Sequence, residues 1–393
     1  MARHSSTTCD HAPPLSLEQP IERHFSIGTI QYGLIAYGLD RQPGGIGRYT
    51  GELASALAGI GAPPVWLDAG GCSHKEGALV LRRARRLPAL LTIGQAEIGW
   101  LARQHRLPLV HDPSGCAPLL LTPARRVVTL HDVVPYLYPH TSTWLDWLIY
   151  HAWLPLALRW VDAIITDSAA SRTDILRFLP VQEERVSVIP LATHPRYHPV
   201  DPSYCQAVLD RYGIETPFIL FVGSLEARKN LPRLLEAYAL LLQALPGWKL
   251  VMVGARKWKA SPIFAAVERL RLEPHVVFTG FVAEEDLPAL YTGASLFAFP
   301  SLYEGFGLPV LEAMACGTPV VTSHSSALPE VAGDAALLVD PADATAMATA
   351  MQLILAEPGL ASEMRARGLH QASLFSWERT ARETLAVYEH VLG

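Results

Sequence analysis

Charge is scarce in this sequence, and cysteine is scarcer still. Only 18% of its 393 residues are Asp, Glu, Lys or Arg, against about 25% in a typical soluble domain. Half are hydrophobic, and the mean hydropathy is +0.20. The formal net charge is -5 and no long basic stripe stands out, which argues against a nucleic-acid partner. Cys9, Cys72, Cys116, Cys205 and Cys316 are odd in number and scattered, with no CxxC pair, which argues against structural zinc and a disulfide framework. The first twenty residues hold no apolar core of a secretory signal, so the expected setting is the cytoplasm, with thiols reduced. Residues 143–160, "TWLDWLIYHAWLPLALRW", come nearest to a membrane span. Asp146, His151, Pro155 and Arg159 interrupt them, so they read as a buried or interfacial helix instead.

What the chain does have is rhythm. Short β-branched runs alternate with helical patterns, and the series starts twice. Phe25–Ile30, Val65–Leu67, Val127–Leu130, Ile164–Thr166 and Val186–Ile189 read as buried strands of a first half. Phe218–Val222, Leu250–Val253, Val276–Phe278, Leu296–Phe299, Val320–Thr322 and Ala336–Val339 read as those of a second. Between Val222 and Leu250, apolar residues at 231, 234, 235, 238, 241, 242 and 245 lie on one helical face, opened by Asn230 and Pro232. Strand–helix alternation predicts parallel sheets with helices on both faces, hence two doubly wound, Rossmann-like α/β domains. The proline-rich stretch 194–204 separates them. A ligand is expected between them, at the carboxyl ends of the strands.

Four stretches carry chemistry. In "PSLYEGFGLPVLEAMACGTPVV", Glu304 and Glu312 flank a glycine turn that leaves a strand and opens a helix closed by Gly317 and Pro319. Free N–H groups and the helix dipole suit phosphate there, and each carboxylate could hold one hydroxylated ring. Taken alone, the pair also fits a helix cap and a solvated side chain. In "ILFVGSLEARKNLPRLLEA", Arg228 and Lys229 could neutralise a diphosphate and stabilise an anionic leaving group, or simply face solvent. In "VVTLHDVVP", His131 could touch a substrate hydroxyl, or His131 and Asp132 could cap the loop. The turn "DRQPGGIGRYTGEL", with Gly45-x-Gly47 and Asp68 further on, comes close to a dinucleotide fingerprint, so an NAD-type oxidoreductase is a rival reading. Thr50 stands where the third glycine belongs.

Together these stretches resemble the retaining glycosyltransferases of family 4, which have the GT-B fold. The resemblance covers about residues 26–390. "FPSLYEGFGLPVLEAMACGTPVV" looks like the family's E-x7-E signature. "VGSLEARKNL", "GFVAEEDLPALY" and "ALPEVAGDAALLVDP" surround it in the expected order, and "GGIGRYTGEL", "LHDVVP" and "AIITDSAASRTDI" agree in the first half. The resemblance implies a poorly ordered segment 1–23, an acceptor-binding domain 24–198, a linker 199–213, a nucleotide-sugar-binding domain 214–375 and a crossover helix 376–393 returning to the first domain. It implies that Glu304 holds the donor sugar with backbone N–H groups of Gly305, Phe306, Gly307 and Leu308, and that Glu312 holds the ribose. Arg228 and Lys229 would grip the diphosphate, Gly44 and Gly45 close over it, His131 contact the sugar, and Gly280, Phe281 and Val282 cover the base.

No cofactor and no metal are expected, since cationic side chains replace the metal in the family and no D-x-D cluster occurs here. Two departures stand out. Ser224 replaces an arginine common in relatives, so Arg228 is expected to supply that charge, and Pro190-Leu191-Ala192 lacks a glycine near the cleft. Similarity to bacterial mannosyl- and rhamnosyl-type transferases implies hexose transfer, with a lean to GDP-mannose, onto a saccharide or lipid-linked acceptor of cell-surface polysaccharide such as lipopolysaccharide. A nucleotide-sugar isomerase on the same fold is a further alternative. The arginines at 82, 83, 85 and 86 adjoin an apolar run, which fits either peripheral contact with the anionic inner membrane or a solvated helix face.

Overall fold

A computed structural model describes residues 30–37, 45–69, 77–82, 93–115, 121–139, 143–256 and 260–393. In the first half, β1 (Tyr32–Ala36), β2 (Val65–Asp68), β3 (Leu79–Val80), β4 (Leu109–Asp112), β5 (Arg125–Thr129), β6 (Ala163–Thr166) and β7 (Val186–Val188) form one parallel sheet, ordered β3-β2-β1-β4-β5-β6-β7. In the second, β8 (Phe218–Val222), β9 (Lys249–Val253), β10 (Val276–Gly280), β11 (Leu296–Phe299), β12 (Val320–Ser323) and β13 (Ala336–Val339) follow the order β10-β9-β8-β11-β12-β13. Central strands such as "YGLIA" and "LFAF" are buried along their whole length because helices cover both faces. Both sheets reverse strand order once, between β1 and β4 and between β8 and β11. Loops diverge at such a point and leave a crevice at the strands' carboxyl ends.

The first-half strands differ from the expected ones in detail. Residues 25–29 of the expected first strand lie outside the described residues, and the first strand described starts at Tyr32, two positions after Ile30. β3 has two residues, and β4 ends in His111 and Asp112, so neither shows the apolar run that marks a buried strand. The segment 1–23 and Gly44 also lie outside the described residues, as do the arginines at 83, 85 and 86; Arg82 is exposed.

The expected linker is mostly helix. Asp201 caps Pro202–Tyr212 by accepting from Ser203 N at 2.8 Å, and Gly213 ends it in the left-handed region. Val208 and Leu209 of this helix belong to the second domain's core. The C-terminal helix Trp377–Leu392 crosses back to the first domain. Its buried Tyr388 packs on Tyr32 with ring centroids 4.8 Å apart, and its hydroxyl meets His111 Nδ1 at 2.7 Å. One continuous apolar cluster therefore runs from Tyr32, Tyr49 and Leu53 through Trp377 and Tyr388 into the second sheet.

Residues 143–160 form a chain of short helical segments that includes a π turn, Ile149–Trp153. Ile149, Leu154, Ala157 and Leu158 face inward, whereas Trp144, Trp147, Leu148, Leu156 and Trp160 are exposed, Trp144 by 77%. Apolar residues thus cover both faces. Among the described residues no helix is long and apolar enough to cross a membrane.

The C-terminal helix should carry a large share of the coupling between the two cores. Tyr388→Ala is expected to lower the unfolding free energy by about 3–5 kcal/mol, since it leaves a cavity and strips His111 of a partner. Urea denaturation checks this, and an unchanged midpoint would contradict the coupling.

Candidate active site

The site forms where β8 and β11 diverge. After β8 the chain makes a single 3-10 turn, Ala227–Lys229, and Asn230 then opens the helix Leu231–Ala244 from the left-handed region, φ 58°. Asn tolerates that conformation better than most side chains, and its Nδ2 donates to the Pro341 carbonyl at 2.7 Å. The turn throws Arg228 and Lys229 toward the loop that follows β11.

Glu304 receives them there. Lys229 Nζ lies 2.6 Å from Glu304 Oε1, and Arg228 Nη1 lies 2.9 Å from Oε2. Ser301 Oγ donates to Oε1 at 2.5 Å, and the Glu304 backbone N–H donates to Ser326 Oγ at 2.8 Å. Lys229 is 6% exposed and Glu304 8%. Burial works against the carboxylate, yet the charges of Lys229 and Arg228 outweigh it and hold Glu304 below its ordinary range. Burial in turn pulls Lys229 down from its ordinary value, against the opposing pull of Glu304. Lys229 also sits 4.8 Å over the Phe299 ring. Arg228 reaches Glu226 at 2.9 Å and the Tyr303 carbonyl at 2.5 Å.

The neighbouring Gly305 is fixed by the other domain. A Cβ at this position would stand 2.4 Å from the His131 carbonyl oxygen, so only glycine lets the two backbones touch. Ser168 Oγ and Ser171 Oγ donate to the Gly305 carbonyl at 2.7 and 3.1 Å. Gly307, at φ +115°, then turns the chain into the helix Leu308–Ala315, while Phe306 packs edge-on against Phe375.

His131 comes from the loop after β5. Its Nδ1 lies 2.7 Å from Asp167 Oδ2 and its Nε2 lies 3.1 Å from the Pro113 carbonyl. Both ring nitrogens face acceptors, and only the imidazolium satisfies both. Burial opposes that charge, but Asp167 prevails and raises the pKa.

Glu312 is buried on the Leu308–Ala315 helix. Tyr291 donates its hydroxyl to Oε2 at 2.9 Å, and Arg48, from the first domain's helix Gly45–Gly59, reaches Oε1 at 2.7 Å. Arg48 also pairs with Glu284 at 2.8 Å, which in turn meets Arg196 at 3.2 Å. Burial raises the Glu312 pKa despite Arg48. Beside this network, Gly280 ends β10, Phe281 is 62% exposed and Val282 is buried.

Residues 43–196 match the model of Glycosyltransferase Family 4, and residues 211–371 match that of Glycosyl transferases group 1. The O-antigen chain mannosyltransferase B of Escherichia coli is 34% identical over 88% of this chain and 96% of its own. The chain belongs to glycosyltransferase family 4. Mannosylfructose-phosphate synthase of Agrobacterium fabrum is 31% identical over 58% of this chain and 50% of its own. Among solved structures, sucrose-phosphate synthase of Thermosynechococcus elongatus superposes with a TM-score of 0.74 over 92% of this chain and 99% of its own, at 24% identity. That likeness extends to the fold, two Rossmann-like domains in the GT-B arrangement.

In this family 4 protein the structure brings His131, Arg228, Lys229, Glu304, Gly305 and Gly307 together, with Glu312 set apart against Arg48. Gly45 is exposed at the start of its helix. Sequence reading places Arg228, Lys229 and Glu304 on cleft loops, with a solvent-facing cation pair as the alternative. The structure has them on loops, with Lys229 and Glu304 buried, Arg228 partly buried, and both cations paired with Glu304. Sequence reading misses Arg48, Glu284, Arg196 and Asp167. Arg48 stands inside "GGIGRYTGEL" and Glu284 inside "GFVAEEDLPALY", so both were in recognised stretches, but no spacing rule links positions so far apart.

Glu304→Ala would leave Lys229 buried without its carboxylate. An uncompensated buried charge costs about 3–5 kcal/mol, so this variant should unfold at lower urea, and Glu304→Ala/Lys229→Met should recover much of the loss. No recovery would refute the pairing.

The His131–Asp167 pair makes a pH-dependent contribution of known sign. A raised folded pKa favours the protonated form. The contribution is therefore complete below the unfolded value of about 6.5 and is lost as pH rises through the folded value. The stability gap between wild type and His131→Phe should narrow as urea titrations move upward from pH 6. A constant gap would mean a neutral imidazole.

Proposed function

We propose that this glycosyltransferase is a retaining, metal-independent hexosyltransferase that uses a nucleotide diphosphate sugar, with GDP-mannose the first donor to test. Its acceptor would be a saccharide or lipid-linked saccharide in cell-surface polysaccharide assembly. One observation carries the reading: two cations converge on one carboxylate at the second domain's switch point, against a glycine that touches the first domain. Arg228 and Lys229 would meet the diphosphate, and their charge would stabilise it as it departs. The amino end of the Leu308–Ala315 helix adds partial positive charge on the same side. Glu304 would then take hydroxyls of the donor sugar in place of part of its present pairing. His131 would contact the sugar by exchanging its Pro113 partner for a hydroxyl. Gly44 and Gly45 would close over the diphosphate, and Phe281 would cover the base. The acceptor oxygen would bond to the anomeric carbon on the face the phosphate oxygen leaves, and that oxygen would accept the acceptor's proton. The mannosyltransferase among the relatives supports the donor choice.

Calorimetry with GDP, UDP and NADH separates this reading from an NAD-type oxidoreductase. GDP should bind, and binding of NADH alone would overturn the proposal. Product analysis without acceptor tests the isomerase alternative, which predicts a converted donor. Excess EDTA should leave the transfer rate unchanged.

Work at a membrane surface fits the outward face of residues 143–160. Trp144, Trp147, Leu148, Leu156 and Trp160 are exposed there with Arg159, and indoles favour the bilayer's headgroup region. Co-sedimentation with anionic vesicles should occur for the wild type and fall away for the triple variant Trp144→Ser, Trp147→Ser, Trp160→Ser. Equal binding by both, or by neither, would remove the membrane role from this face.

A further inference from the structure

Arg48 is the residue whose position exceeds what the proposed site explains. It lies in the first turn of a first-domain helix, yet both guanidinium arms end on second-domain carboxylates, Glu312 Oε1 at 2.7 Å and Glu284 Oε1 at 2.8 Å. Its side chain is 23% exposed. Glu312 Oε2 is already taken by the Tyr291 hydroxyl, so neither oxygen of Glu312 lacks a partner. Each oxygen can accept a second hydrogen bond, but a ribose that takes the positions now filled competes with one of these two.

The two differ in what displacement does. Tyr291 is fully buried in the second domain's core and belongs to the same wall as Glu312. Arg48 arrives from across the cleft and keeps Glu284 as a second partner. It also stands three residues beyond Gly45, at the amino end of its helix. Two cations, Arg48 and Arg196, here balance two carboxylates, Glu284 and Glu312. Arg228 and Lys229 likewise face Glu226 and Glu304. Among the described residues these four cations are matched by four acids, so a diphosphate that draws on one of them takes it from its acid. The ligand's own ribose can release only Arg48.

We propose that Arg48 is a specificity-determining latch: it pairs with Glu312 in the empty site and passes to the diphosphate when ribose hydroxyls claim that carboxylate. This rests on the nucleotide-sugar reading above. A guanidinium suits the exchange because its fork matches carboxylate and phosphate oxygens alike. A nucleoside without phosphates breaks the Arg48–Glu312 pair and returns nothing. A nucleoside diphosphate breaks it and restores an equivalent pair. The latch therefore discriminates by phosphate content although Arg48 need not touch the base.

Binding of guanosine, uridine, GDP and UDP to wild type, Arg48→Gln and Glu284→Gln tests this by calorimetry. For Arg48→Gln, GDP or UDP should bind about tenfold more weakly or worse, because one charged partner of the phosphates is gone, while the matching nucleoside should bind more tightly. Glu284→Gln, which frees one arm of Arg48, should tighten nucleoside diphosphate binding, and it keeps the test open if Arg48→Gln fails to fold. Opposite shifts for nucleoside and diphosphate are the expected signature. Equal weakening of both would mean a structural role only, and unchanged affinities for both variants would also overturn the latch. If wild type binds neither GDP nor UDP, the nucleotide-sugar reading itself falls and the latch with it, an outcome distinct from the others.

Discussion

The buried ion cluster of Lys229, Glu304 and Arg228 is the constraint from which the second domain's active face follows. Three ionised groups removed from bulk water are tolerable only if they pair closely, because desolvation of each charge otherwise outweighs any gain. Pairing requires that the loops after β8 and β11 lie side by side, and adjacency of those two strands at the sheet's reversal point provides it. The left-handed Asn230, the single helical turn at 227–229 and the buried Ser301 all serve to bring three side chains to one spot. A strand order that separated β8 from β11 would strand each charge.

Two kinds of contact then join the domains, and they differ in how readily they let go. The C-terminal helix inserts Trp377 and Tyr388 into an apolar cluster shared with Tyr32 and Tyr49, an association maintained by burial and insensitive to small ligands. Across the cleft the contacts are polar. Glu330 accepts from the N–H groups of Ala169 and Ala170 at 2.8 and 2.7 Å, Tyr303 donates to Asp174 at 2.9 Å, and Ser168 donates to the Gly305 carbonyl. Each of these can exchange with water or a ligand at modest cost. The molecule is thus hinged on hydrophobic surface and closed on hydrogen bonds, a division suited to a cleft that must admit and release a polar substrate.

The sequence made the fold legible because helix and strand periods are written plainly where elements are long or fully buried. The strands at 218–222, 296–299 and 336–339 coincide with observed ones, and the Asn230–Pro232 start marks a real helix boundary. What escaped was short or polar. β4 ends in His111 and Asp112 because that histidine is satisfied by Tyr388 and Thr129, a long-range arrangement with no local signal. The helix in the supposed linker was hidden by its own prolines, although Pro202 sits in a first turn, where proline is welcome. At the site, residue types and their order could be read, but burial could not. Whether Lys229 meets solvent or Glu304 depends on two loops 75 positions apart.

Charge scarcity acquires a meaning in the cleft. In a chain where fewer than one residue in five is charged, Arg48, Arg196, Arg228 and Lys229 collect opposite Glu226, Glu284, Glu304 and Glu312. A cleft lined by bare arginines would attract any anion, and phosphate alone would compete with substrate. With each of these four cations already paired, an anion that arrives alone gains little from them. Only a ligand that offers hydroxyls to the acids and negative charge to the bases can satisfy both sets of groups it separates. On the proposed reading, selectivity for a molecule carrying a diphosphate between two polyhydroxylated rings would require no excess of positive charge, which agrees with a protein whose net charge is -5.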